Sequence, residues 1–198
     1  LRLDLPSEKT SLLKPLGVEQ LVLIPFDLSL AALSAQDFIA QILNKTLQAK
    51  RIAVGENFRF GRNREGDCEH LKKIGKSLGI EVSVVPMIKD SIGKMSSSRI
   101  RSALRAGNLD TAKDLMGRPY KFRGKVVTGK GIGKGLGWPT ANLEVNGRKF
   151  LPGVGVYAAW AWIDNEKVKF SAIMNLGPQP TIDPRSPSAV EVHLLDQI

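Results

Sequence analysis

Just past its middle, the chain changes the spacing of its apolar residues. In the first part, Leu12, Leu13 and Leu16 recur at helical spacing and Gly17 follows as a stop. Residues 20–26, QLVLIPF, form an apolar run of the length of a buried strand. Ser34-Ala35-Gln36-Asp37 has the form of an N-cap with an acid three residues on. Phe38, Ile39, Ile42, Leu43 and Leu47 extend it as one apolar helical face. Residues 51–54 predict a second strand, 69–78 a helix and 81–85 a third strand. Alternating strands and helices predict a parallel sheet with helices on its faces, and ligands beyond the carboxyl ends of the strands. Helices follow near residues 99–106 and 110–115. A domain boundary within 115–119 then divides 1–116 from 117–198. Beyond it the period falls to two: residues 122–128, 154–163, 168–175 and 190–195 are strand candidates, with Asp164-Asn165-Glu166 as a turn. The predicted fold class is α/β followed by all-β, the second part an antiparallel barrel.

A hydrophobic content of 42% and a charged content of 24% are those of an ordinary globular chain. No run of 18 apolar residues occurs, so no membrane span is expected. The opening LRLDLPSEKT lacks the layout of a signal peptide. Cys68 is the only cysteine, which excludes an internal disulfide and a cysteine metal cluster and suits a reducing, cytoplasmic setting. A net charge of +10 and a pI of 9.9 call for anionic partners. The excess is local: from Arg118 to Lys149, eight Lys or Arg stand against one acid, Glu144.

That basic segment contains residues 129–143, GKGIGKGLGWPTANL. Glycine occupies every second position from 129 to 137, which in an extended chain leaves one side bare. Such a backbone can approach a bulky anion and point its N–H groups at phosphate oxygens. Lys130 and Lys134 add charge. Pro139 fixes its own φ and biases Trp138 towards an extended conformation. Thr140 and Asn142, two residues apart, project oxygens on one side, donors that suit a hard cation such as Mg²⁺ holding nucleotide phosphates. A flexible glycine loop followed by an ordinary strand would give the same pattern. Two familiar phosphate signatures are excluded. Residues 124–131 follow a Walker A until Gly131 stands where Ser or Thr would ligate Mg²⁺, and the glycines never give G-x-G-x-x-G.

Residues 55–62, GENFRFGR, and 94–101, KMSSSRIR, both follow predicted strand ends. Ser98 can cap the helix it opens, where free N–H groups and the dipole favour phosphate, and Arg101 lies one turn in. A plain cap with solvated arginines is the alternative. In Val190-Glu191-Val192-His193-Leu194-Leu195, alternation puts Glu191 and His193 on one face. That is either a strand with its polar side outward or a carboxylate placed to take a proton from an attacking hydroxyl. Trp160 and Trp162 also share a face and are expected to pack the barrel.

PTAN behind a glycine-rich loop, GVYA, VEVHLLD, VGENFRFG, MSSSRIR and GRPY together resemble the bacterial bifunctional riboflavin kinase/FMN adenylyltransferases, or FAD synthetases. The resemblance covers nearly the whole chain. It implies a nucleotidyltransferase-type, Rossmann-like parallel sheet over 1–116 and a Greek-key barrel of riboflavin kinase type over 117–198. The implied activities are ATP-dependent phosphorylation of riboflavin to FMN and adenylylation of FMN to FAD. Glu191 would be the catalytic base. Gly131, Gly133, Gly135 and Gly137 with Lys134 would hold the ATP phosphates, and Thr140 and Asn142 would hold Mg²⁺. Asn57 would belong to the flavin side of the adenylyltransferase site, and Ser97, Ser98 and Arg101 to its ATP-phosphate side. Lys94 stands where the family often has Arg, keeping the charge but losing the bidentate fork. No catalytic role is implied for His193, which is expected to be structural. The family's G-x-F-D-G-x-H-x-G-H segment and its C-terminal helix have no counterpart, so the resemblance implies a chain shortened at both ends that makes no FAD alone. The expected partners are flavins and nucleotides, with neither nucleic acid nor membrane, and the oligomeric state is left open. The rival is a basic nucleic-acid-binding module, with Phe58 and Phe60 among Arg59, Arg62 and Arg64 as a stacking surface.

Overall fold

A computed structural model describes residues 1–128, 138–163, 168–177 and 189–195. The chain forms two compact units, one of Leu1–Glu19 with Ser96–Ile198 and one of Gln20–Met95.

Helix α1 (Pro6–Leu13) runs through a 3₁₀ turn, Lys14–Leu16, into left-handed Gly17 at φ 81°, as the leucine spacing predicts. Helix α2 (Leu28–Ala32) is short. Ser34 caps α3 (Ala35–Asp37) by accepting the Asp37 N–H at 3.0 Å, and the helix continues as π-helical Phe38–Thr46. Strand β1 (Arg51–Gly55), helix α4 (Cys68–Ser77) and strand β2 (Glu81–Val85) follow, with β1 and β2 parallel and paired along their full length. This unit buries Ala35, Ile39, Phe60, Leu71 and Ile80 together.

Residues 20–26 depart from the prediction. They form no strand, and Leu21, Val22, Leu23, Ile24 and Phe26 are exposed. An apolar run becomes a strand only where a neighbouring backbone offers a ladder. Among the described residues the parallel sheet has two strands, and neither pairs with this run. Two-residue strands β3 (Lys89–Asp90) and β4 (Gly93–Lys94) add a hairpin too short to show alternation in sequence.

In the other unit, α5 (Ser97–Arg105) and α6 (Leu109–Met116) bury Ala103, Leu104 and Ala112 with Phe150, and Leu3, Ile100, Leu109 and Tyr120 pack around them. A buried clasp secures the first residues. Lys149 Nζ donates to the Leu3 carbonyl at 2.6 Å and pairs with Glu8 at 2.8 Å, its side chain wholly enclosed. The Tyr120 hydroxyl lies against the Leu3 and Phe150 carbonyls. Burial, reinforced by the charges of Glu8 and Asp4, pushes its pKa well above that of an ordinary phenol.

Strands β5 (Gly124–Val127), β6 (Ala141–Val145), β7 (Gly155–Ala161), β8 (Phe170–Gly177) and β9 (Ala189–Leu194) make one antiparallel sheet in the order β5-β6-β9-β8-β7. The four predicted strands omit β6, although Ala141-Asn142-Leu143-Glu144-Val145 alternates cleanly. The predicted barrel is not seen closed: among the described residues the sheet is open, with β5 and β7 at its edges. Packing joins residues 1–19 and 96–116 to the β-rich part, whereas periodicity divides the chain at 116.

Candidate functional site

One cross-strand row spans the whole antiparallel sheet: Val127, Asn142, Glu191, Asn175 and Val156 lie opposite one another in turn. Directly opposed residues share a face with Cβ atoms roughly 4.5–5.5 Å apart. The Glu191 carboxylate therefore has a carboxamide residue on each side. The other face of the sheet buries Ala172, Leu176 and Val190, which turns this polar row outward. Sequence spacing singled out Asn142 and Glu191 and read Asn175 only as the strand end that starts a rigid turn beside the site, whereas residues 175–177 complete β8. The strand alternation around 170–177 could have placed Asn175 on a face, but not opposite Glu191.

Thr140 precedes β6 and is exposed. The chain just before it is tied to β9: His193 Nδ1 lies 2.7 Å from the Pro139 carbonyl, and the His193 ring meets Trp138 edge-on with centroids 5.1 Å apart. Gly131, Gly133, Lys134, Gly135 and Gly137 lie outside the described residues. Trp160 and Trp162 correct an expectation, since each is 56% exposed rather than packed. Trp160 shares the Glu191 face by register, and among the described residues no second sheet packs on that one. Lys169 Nζ instead sits 4.0 Å from the Trp160 ring centroid.

The predicted adenylyltransferase residues divide between the units. Ser96, rather than Ser98, caps α5: its backbone is extended, with φ −146° and ψ 154°, and its hydroxyl accepts the Arg99 N–H at 3.4 Å. Ser97 and Ser98 are thus the first helical residues. Ser97 and Arg101 line a cleft of about 380 Å³ together with Arg2, Lys9, Arg118 and Asp4. Arg118 Nη2 donates to both Asp4 oxygens at 2.9 and 3.0 Å, while its Nη1 is buried with no hydrogen-bond partner among the described residues. Four cations and one carboxylate line this cleft, a surplus of positive charge that suits a polyanion. Arg2 and Lys9 gave no local signal, and Arg118 entered only through GRPY and the basic segment it opens.

Asn57 and Lys94 belong to the unit Gln20–Met95. Asn57 occupies the turn at the carboxyl end of β1, where the Glu56 N–H donates to the Val85 carbonyl at 3.0 Å. Lys94 lies in β4 opposite Lys89. The aromatic–cation surface suggested for nucleic acid is core packing instead. Phe60 is buried, Phe58 stacks on it at 5.4 Å, and Arg59 pairs with Asp67 at 2.9 Å. Among the described residues no helix is long and apolar enough to cross a membrane, and no group of three or more His, Cys, Asp or Glu is placed to hold a metal.

The FAD synthetase family matches residues 1–99, and the riboflavin kinase family matches residues 116–198. The bifunctional riboflavin kinase/FMN adenylyltransferase of Escherichia coli strain K12 is 38% identical over 195 residues, 98% of this chain and 61% of that protein. The protein so named in Pseudomonas fluorescens is 34% identical over 180 residues, covering 91% of this chain and 57% of its own length. That of Haemophilus influenzae is 32% identical over 189 residues, or 96% and 60%. The chain spans about 60% of the length of these curated relatives. A crystal structure described as a macrolide-efflux protein from Streptococcus pneumoniae superposes with a TM-score of 0.87 at 36% identity, over 100% of this chain and 62% of that one. The transport description belongs to that protein.

Proposed function

The chain belongs to the FAD synthetase family, and on that premise we propose that it carries the riboflavin-phosphorylating centre of a bifunctional flavin-nucleotide enzyme together with part of the FMN-adenylylating centre. The observation that carries this reading is the row in which Asn142 and Glu191 stand directly opposite each other. Phosphoryl transfer needs positioning and charge neutralisation more than covalent chemistry from the protein. Glu191 accepts the proton of the ribityl 5′-hydroxyl as that oxygen bonds to the γ-phosphorus of ATP. The bond from that phosphorus to the bridging oxygen breaks, and ADP leaves. The hydroxyl of Thr140 and the amide oxygen of Asn142 are hard oxygen donors, a set that fits Mg²⁺. When bound, Mg²⁺ neutralises phosphate charge during transfer. Residues 131–137, with Lys134, supply the phosphate-binding backbone on this reading.

The strand order supports a Greek-key barrel: β7, β8 and β9 are consecutive neighbours and β6 lies beside β9. Residues 117–198 then form the kinase module and residues 1–116 the adenylyltransferase part, in keeping with the two matched stretches. There Ser97, Ser98 and Arg101 take the ATP phosphates, and Asn57 and Lys94 serve the flavin and nucleotide. The partners are small flavins and nucleotides, and the setting is the cytoplasm. The full-length gene product, given riboflavin, ATP and Mg²⁺, should form FMN and then FAD, resolved by chromatography. Consumption of neither flavin nor ATP would overturn the proposal.

A further inference from the structure

His193 has no role in the mechanism above, yet it touches the segment that carries Thr140. Its Nδ1 lies 2.7 Å from the Pro139 carbonyl oxygen, and its ring meets Trp138 at an interplanar angle of 62°. A carbonyl oxygen only accepts, so Nδ1 carries the proton and donates. Alternation along β9 puts His193 on the face of Glu191, two residues away, with Ile173 as its partner on β8. The β6–β9 pairing runs from Leu143 opposite Val190 to Ala141 opposite Val192. Just before it stands Pro139, which has no N–H to offer a ladder. The imidazole therefore ties the two chains together where proline has removed a main-chain donor.

The tied oxygen belongs to the planar peptide unit joining Pro139 to Thr140. Proline already fixes its own φ, and the bond from His193 fixes the direction of that plane. Together they set the point from which the Thr140 side chain projects. Strand β9 thus holds both proposed metal donors: Asn142 through the ladder opposite Glu191, and Thr140 through the imidazole.

We propose that His193 is a positioning residue for riboflavin phosphorylation, its Nδ1–H clamping the Pro139 carbonyl so that Thr140 stands beside Asn142 for binding of the metal–nucleotide. This rests on the kinase reading. A histidine that merely packs against Trp138 makes the opposite prediction for two variants. His193→Phe keeps an aromatic ring against Trp138 but loses the donor. His193→Asn loses the ring but can present an N–H near the Nδ1 position.

The test uses the full-length protein with Mg·ADP calorimetry, Mg·ATP kinetics and imidazole NMR. Positioning predicts that His193→Phe weakens Mg·ADP binding about five- to tenfold, the effect of one lost hydrogen bond. KM for Mg·ATP should rise in parallel while kcat stays within about threefold, and His193→Asn should recover most of the loss. Long-range ¹H–¹⁵N spectra of the wild type, taken where imidazoles are neutral, should show His193 as the Nδ1–H tautomer. The only other histidine, His70, is assigned by its own substitution. An Nε2–H tautomer, or a Phe variant that matches wild type while the Asn variant is impaired, would overturn the proposal and leave the kinase reading intact. A wild type that makes no FMN would remove both. The tautomer measurement needs no variant of His193 to fold.

Discussion

Glu191 stands between Asn142 and Asn175 in a register that makes its carboxylate the centre of the polar row. Glu191→Gln keeps the shape and removes the base. It should lower the rate of FMN formation by roughly 10²–10⁴ while leaving Mg·ATP binding near wild type. A variant with wild-type turnover would make Glu191 an ordinary outward strand residue. Thr140→Val and Asn142→Leu each delete one hard oxygen donor at nearly constant size. Both should raise the Mg²⁺ concentration needed for half-maximal activity, read from a metal titration at saturating ATP. Unchanged metal dependence in both would return PTAN to a structural role. At this scale much was legible. The spacing of Thr140 and Asn142 and the alternation of Glu191 and His193 are properties of an extended chain, present before any tertiary contact. That Asn142 meets Glu191 was not legible in the spacing, because register depends on which strands become neighbours; the family resemblance alone implied that VEVHLLD lies opposite PTAN.

Among the elements, the prediction failed where a strand needed a partner. Residues 51–54 and 81–85 became β1 and β2 because they pair with each other. Residues 20–26 are at least as apolar and remain exposed without a ladder. The placement of α1 depends on a buried charge pair no periodicity encodes. Glu8→Gln should leave the enclosed Lys149 ammonium without its counter-charge and destabilise the unit by about 3–5 kcal/mol, measured by urea unfolding. Pairing it with Lys149→Met should restore most of that loss. Equal stability of Glu8→Gln and wild type would show that the pair contributes nothing. Helix α4 offers a pH test. Asp67 accepts the Glu69 and His70 N–H groups at 3.1 and 3.0 Å and pairs with Arg59. The His70 backbone bond, ahead of the side-chain bonds from His70 and Arg59, holds its pKa at about 2 against an ordinary 3.8. A depressed carboxylate contributes stability that is complete above its unfolded pKa and lost as pH falls through the folded value. Asp67→Asn, which keeps a cap oxygen but cannot ionise, should therefore flatten the acid limb between about pH 4 and pH 2, followed by circular dichroism. An identical acid limb would remove Asp67 as its cause.

For the molecule, sequence patterns distinguish an α/β part from a β part but do not say which elements pack together. Helices α5 and α6 read as the end of the first part, yet they bury Leu104 and Ala112 against Phe150. Apolar periodicity records that a face must be covered, not by what. The cleft of Arg2, Lys9, Arg101 and Arg118 was invisible for the same reason, although Arg101 alone was anticipated. The central claim is that the Asn142–Glu191 row binds a metal–nucleotide, and paramagnetic broadening by Mn²⁺ tests it most directly. With ADP and Mn²⁺ in place of Mg²⁺, amide signals of residues 140–143 and 190–193 should broaden first, with Asn175 close behind. Ala161, at the far end of β7, should keep its intensity. Broadening that spares residues 140–143 and 190–193 would contradict the account.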